Sequence, residues 1–207
     1  MLHQLSGRND MARAILVIDV QKAYTDPASP LHCVGNADVI ANINAIVAAA
    51  ETAGDLVVHI RHVHRADSSD AGRMFDFSGK VGELGFVAGT EEVDDDPRLR
   101  ISTGALTISK QRYSSFVGTG LDRMLRERSI NRIVVTGFMT NFCCEATARH
   151  GHDLDYFVDF PVDATGCPDL SETATQDTIK AGTAATLAAG FARVMTTAEW
   201  LTVFQAR

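Results

Sequence analysis

The chain has 207 residues, four cysteines and a formal net charge of −7, with 45% apolar and 22% charged residues. That length suits one domain with a sizeable core, and the acidity leaves no basic footprint for nucleic acid or an anionic membrane surface. No apolar run approaches the roughly 20 residues that span a bilayer, and the opening MLHQLSGRND has no apolar signal core. We read residues 11–207 as a single domain and residues 1–10 as an extension or tag remnant. Cys33, Cys143, Cys144 and Cys167 have neither zinc-site spacing nor a disulfide framework, so reduced thiols in a cytoplasm are expected.

Ala14 to Val20, AILVIDV, is a continuous apolar run carrying Asp19 near its end. Apolarity on both faces predicts a central parallel strand covered by helices. Residues 21–34 hold two prolines and read as loop. Helical spacing of Val39, Ile43, Ile46, Val47 and Ala50 predicts a helix over 37–53, with Asn36 as cap and Gly54 as stop. LVVHIRHV at 56–63 is a second strand. Residues 64–104 have no sustained period, and so long an irregular stretch is more often a lid or pocket wall than a connector. Strands follow at 105–109, 133–136, 156–162 and 191–195, with helices at 121–128, from about 140 to 152, 171–189 and 198–205. This alternation predicts an α/β fold of three αβα layers around a mostly parallel sheet.

In such sheets ligands bind beyond the carboxyl ends of the strands. Asp19, Lys110 and Cys143 each lie at or just past such an end, so three reactive side chains from distant segments can share one pocket. Cys143 and Cys144 both fall in the first turn after Gly137, where Thr140 or Asn141 can cap the helix. The helix-start field there favours thiolate. A cysteine nucleophile needs a base and oxyanion donors; Asp19 can take the thiol proton, and Lys110 can hold the charges. Backbone N–H groups between Gly137 and Cys143 can bind the oxyanion. On placement alone Asp19 and Lys110 are equally explained as a structural ion pair.

Three motifs carry a family resemblance: VIDVQKAY around Asp19, ISKQRYSSFVGTGLDRML around Lys110, and TGFMTNFCCEATAR followed by VDAT ending in Thr165. Over residues 13–196 the chain resembles the isochorismatase-like cysteine hydrolases. The family pattern G-x-x-T-x-x-C-x-x-x-T-A-R falls on Gly137, Thr140, Cys143, Thr147, Ala148 and Arg149. The resemblance therefore implies Cys143 as nucleophile, with Asp19 and Lys110 completing the triad, and leaves Cys144 to the core. It also implies a cis peptide between Phe138 and Met139 and an oxyanion hole from the N–H groups of Met139 and Cys143. A cysteine at this position favours hydrolysis of a C–N bond in a small amide, lactam or carbamoyl compound. The alternatives are isochorismatase-type vinyl-ether hydrolysis, or a non-catalytic or thiol-redox member of the fold. The wording CCEATAR is most similar to the streptothricin-hydrolase-like branch.

Gln21, Tyr24, Arg61, His62, Tyr113 and Phe116 follow strands or flank the triad, and are candidates for the pocket lining. Nicotinamidases in the family carry a metal beside the pocket, and the corresponding stretch here holds His59, His62 and His64. In a strand only His62 and His64 share a face, and two ligands do not make a catalytic zinc site. No metal or cofactor is expected. The resemblance implies a small-molecule substrate and a homo-oligomer, dimer or tetramer.

Overall fold

The computed structural model describes residues 12–74 and 85–205. The expectation for residues 1–10, and residues 75–84 of the irregular stretch, lie outside the described residues. The β-branched and aliphatic runs form strands β1 (Arg13–Ile18), β2 (Leu56–His62), β3 (Leu106–Lys110), β4 (Arg132–Phe138), β5 (Phe157–Pro161), β6 (Thr165–Gly166) and β7 (Arg193–Met195). They build one sheet in the order β3-β2-β1-β4-β5-β7, with β6 added against β4. Every pairing between these strands is parallel, Ile18 lying beside both Ile60 and Gly137 and His62 beside Lys110.

Period-two alternation divides β1 between two cores. Ile15 and Val17 pack with Ile43, Ile46 and Val47 of α2 (Asn36–Ala53) and Trp200 of α6 (Thr197–Gln205). Ala14, Leu16 and Ile18 pack with Leu121 and Leu125 of α3 (Leu121–Glu127), Ala148 of α4 (Glu145–Asp153) and Leu187 of α5 (Gln176–Gly190). Both faces of the sheet are therefore covered, giving the three layers expected. Among the described helices none is long and apolar enough to cross a membrane.

Several local expectations shift. The loop after β1 contains a one-turn helix, α1 (Lys22–Thr25). Gly35 (φ 76°), not Asn36, precedes α2, and the Asn36 amide instead donates to the Cys33 carbonyl at 2.8 Å. Gly54 ends α2 in the left-handed region as read. The segment 171–174 stays outside α5, because Thr175 accepts from the Thr178 N–H and sets the start there. Neither Thr140 nor Asn141 caps a regular helix: residues Thr140–Cys144 make a π-helical turn in which the Cys144 N–H reaches the Met139 carbonyl at 3.1 Å. Thr140 Oγ1 instead donates to Thr165 Oγ1 at 2.9 Å, tying this turn to β6.

Candidate active site

The chain runs outward from β1 through β2 to β3, then crosses back to place β4 on the other side of β1. The carboxyl ends of β1 and β4 thus flank the topological switch point, where ligand sites form in open parallel sheets. Two backbone features shape that end. Asp19 leaves β1 in the left-handed region (φ 51°), which turns its carboxylate out of the strand's alternation. Gly137 (φ 114°) lets β4 press against β1, since a Cβ there would lie 1.9 Å from the Ile18 carbonyl oxygen. The Phe138–Met139 peptide that follows is cis.

Lys110, Asp19 and Cys143 meet at this point. Lys110 Nζ lies 2.8 Å from Asp19 Oδ2, donates to Cys143 Sγ at 3.1 Å and to the Arg112 carbonyl at 3.1 Å. An ammonium has three hydrogens, and these are three partners. Asp19 and Lys110 are fully buried and Cys143 is 1% exposed. Burial raises the Asp19 carboxyl above its ordinary value, and Lys110 only partly offsets this. Burial would lower Lys110, yet the charges of Asp19 and Cys143 prevail and its ammonium is held more firmly than usual. Burial first, then the Asp19 charge, push the Cys143 thiol up to about 12. Burial and the Asp19 charge outweigh the helix-start field, which favours thiolate, and leave Cys143 as the thiol, 3.1 Å from the Lys110 ammonium. Cys144 is fully buried with its thiol also raised, and packs among Leu16, Ile133 and Ala148 in the second core.

His62 joins this cluster. One of its ring nitrogens, an Asp19 carboxylate oxygen and Cys143 Sγ all lie within 4.8 Å of one another. Those are metal-ligand atom types, but the Lys110 ammonium already sits against Asp19 and Cys143, and its charge opposes a cation there. The His62 ring stacks on Phe86, with centroids 4.6 Å apart and planes 9° apart. Its Nε2 faces His64 Nε2 at 3.0 Å, and His64 Nδ1 faces Asp70 Oδ1 at 3.2 Å. Burial, followed by the charge of Lys110, pushes His62 down to about 2, so the ring is neutral. His59, on the opposite strand face, is not part of this chain of contacts.

The other pocket candidates are placed unevenly. The Gln21 amide donates to the carbonyls of His62 (3.1 Å) and Val93 (2.9 Å) and accepts from the His62 N–H (2.9 Å). It clamps the chain after β1 to the end of β2 rather than turning toward a ligand. Tyr24 is buried and stacks on Phe138 at 5.6 Å. Arg61 is held by Asp95 at 3.1 Å. Tyr113 lies against Phe142, its hydroxyl raised by burial and by the Cys143 charge. Phe116 packs between His150 and Tyr156 and belongs to the core behind α4. A cleft of about 600 Å³ lined by Arg13, Asp55 and Ser102 opens at the amino ends of β1 and β2, at the opposite end of the strands from Lys110, Asp19 and Cys143. Asp70 and Phe86 had no signature in sequence: they come from the aperiodic stretch, and only the fold brings them to His62.

The family model described as the isochorismatase domain matches residues 13–199. The chain is 33% identical over 174 residues to the ureidoacrylate amidohydrolase RutB of Cronobacter sakazakii, covering 73% of each chain. It superposes on a cysteine hydrolase from Pseudomonas syringae pv. phaseolicola with TM-score 0.85 and 31% identity, covering 94% of this chain and 92% of that one. An isochorismatase-like hydrolase from Alkaliphilus metalliredigens gives TM-score 0.78 at 29% identity, over 93% and 99% of the two chains.

Proposed function

The chain belongs to the isochorismatase family, and from that premise we propose that it is a cysteine-dependent hydrolase of the C–N bond in a small amide, lactam or carbamoyl compound. The observation that carries this reading is the sealed contact of Lys110 Nζ with both Asp19 (2.8 Å) and Cys143 (3.1 Å). The amidohydrolase activity in the name of the Cronobacter relative supports the C–N choice.

Cys143 Sγ attacks the carbonyl carbon as its proton passes to Asp19, whose affinity for a proton burial has raised. Thiol and carboxylate thus exchange a proton only as substrate charge develops. Lys110 holds the negative charge throughout, on Asp19 at rest and on sulfur in the attack. The N–H groups of Met139 and Cys143 receive the oxyanion. The tetrahedral intermediate collapses, the C–N bond breaks, and the nitrogen leaves with the Asp19 proton. Water, deprotonated by Asp19, then cleaves the acyl-thioester and the proton returns to Cys143.

A panel of small amides and ureido compounds, ureidoacrylate included, scored for ammonia or amine release, tests this reading. Wild type should give an acyl adduct on Cys143 by intact mass, and Cys143→Ala neither adduct nor turnover. Full activity in Cys143→Ala would refute it, and turnover of an isochorismate-like ether alone would favour the vinyl-ether reaction.

A further inference from the structure

A second cleft, of about 390 Å³, opens at the amino ends of β4, β5 and β7, at the opposite end of the strands from Cys143. That volume falls within the range of small-molecule sites. Its lining holds Arg132, His152 and Arg193 and no carboxylate, in a chain whose net charge is −7. Parallel pairing sets Arg132 beside Phe157, and Asp159 beside Arg193. Asp159 is fully buried between the two guanidiniums. Arg132 Nη1 donates to its Oδ1 at 2.7 Å, and Arg193 Nε and Nη2 donate to Oδ1 and Oδ2 at 3.1 and 3.0 Å. One carboxylate offsets one guanidinium, so the cluster keeps a surplus positive charge. Arg132 Nε and Nη2 and Arg193 Nη1 have no acceptor among the described residues. The Arg193 side chain is 48% exposed, so this charge is open to a ligand. Phe157 is the only Phe, Tyr or Trp that stands exposed among the described residues, and the Arg132 guanidinium lies 5.1 Å over its ring. Phe191, edge-on to His152 with centroids 5.5 Å apart, adds a second ring to the lining.

We propose that this cleft is a binding site for a small aromatic carboxylate, separate from the catalytic centre. The carboxylate accepts from the spare N–H groups of Arg132 and Arg193, and the ring covers the exposed face of Phe157. One surplus charge matches a monoanion; a phosphate dianion would bring a second charge that nothing in the lining offsets. The last turn of α5 places Ala188 and Gly190 in the lining, where helix-end carbonyls suit the electropositive edge of an aromatic ring. An aliphatic chain has no such edge. The site shares no residue with Asp19, Lys110 or Cys143, so it stands whether or not Cys143 is the nucleophile.

Calorimetric titration of the full chain with benzoate tests this, and should give saturable one-to-one binding. Benzamide keeps the ring without the charge, and cyclohexanecarboxylate keeps the charge without the flat ring. Each should bind about ten-fold more weakly than benzoate, the scale of one lost charged hydrogen bond or ring contact. Phe157→Ser changes a half-exposed ring, and Arg193→Gln leaves Arg132 on Asp159, so both variants should fold, as thermal melting will check. Each should weaken benzoate about ten-fold. The ligand series needs no variant, so it decides the question even where a variant fails to fold. Absence of saturable binding, equal affinity for benzamide, or benzoate affinity unchanged in both variants overturns the inference. Sedimentation supplies one further refutation: a dimer that Phe157→Ser dissociates and benzoate leaves intact would give the cleft to a second copy of the chain.

Discussion

Replacing Lys110 by methionine separates the electrostatic account of the site from a purely steric one. The stem keeps its length, while Asp19 loses a positive charge 2.8 Å away at a position with no solvent exposure. Removing one partner of a buried pair costs about 3–5 kcal/mol. Asp19 can escape part of that by taking a proton, which from its ordinary value of 3.8 costs about 1.36 kcal/mol per pH unit. That escape costs about 5.7 kcal/mol at pH 8 but only about 1.6 kcal/mol at pH 5, so it governs at the lower pH. A carboxyl raised in the folded state binds a proton that the unfolded chain releases, so it takes stability away as pH rises through the folded value. Urea unfolding of Lys110→Met should therefore give a loss of about 3–5 kcal/mol at pH 8 that shrinks to about 1.6 kcal/mol, plus a packing term, at pH 5. The double variant Asp19→Asn/Lys110→Met should lose the pH dependence. A loss below about 1 kcal/mol at pH 8, or one equal at the two pH values, would refute the reasoning.

Cys144→Ala removes one fully buried sulfur and should cost about 1 kcal/mol in urea unfolding while hydrolysis is kept; abolished turnover in a folded protein would place Cys144 in the chemistry. His62 stays neutral down to about 2 when folded but picks up a proton below about 6.5 when unfolded. Its contribution is thus whole above 6.5 and drains away as pH falls toward 2, at up to about 1.4 kcal/mol per unit. His62→Phe should flatten the stability profile between pH 6.5 and 4.5, and parallel profiles would show that the ring is not held neutral. Gly137→Ala forces a Cβ to 1.9 Å from the Ile18 oxygen at φ 114°, and should destabilise by more than about 4 kcal/mol or prevent soluble expression. A folded Gly137→Ala protein with wild-type urea midpoint would show that β1 and β4 do not approach as described.

The alternation of strands and helices, the doubly covered sheet and the convergence of Asp19, Lys110 and Cys143 at one end of it were legible in sequence, because each rests on where residues fall relative to the strands. A strand apolar on both faces must be sandwiched, and Asp19, Lys110 and Cys143 stand at or beyond strand ends, where parallel sheets open to ligands. What sequence left undecided depends on neighbours that are distant in the chain. Gln21 reads as a pocket residue until β2 lies beside it and takes both ends of its amide. Phe116 reads likewise until His150 and Tyr156 enclose it. The helix start favours a thiolate at Cys143, but burial and the nearby Asp19 reverse the sign, and neither is a property of the local sequence. Asp70 acquires meaning only where folding sets it behind His64 and His62. Periodicity and motif spacing determine which groups reach the site. Desolvation and hydrogen-bond direction, which exist only in the folded chain, decide their protonation and therefore their chemistry.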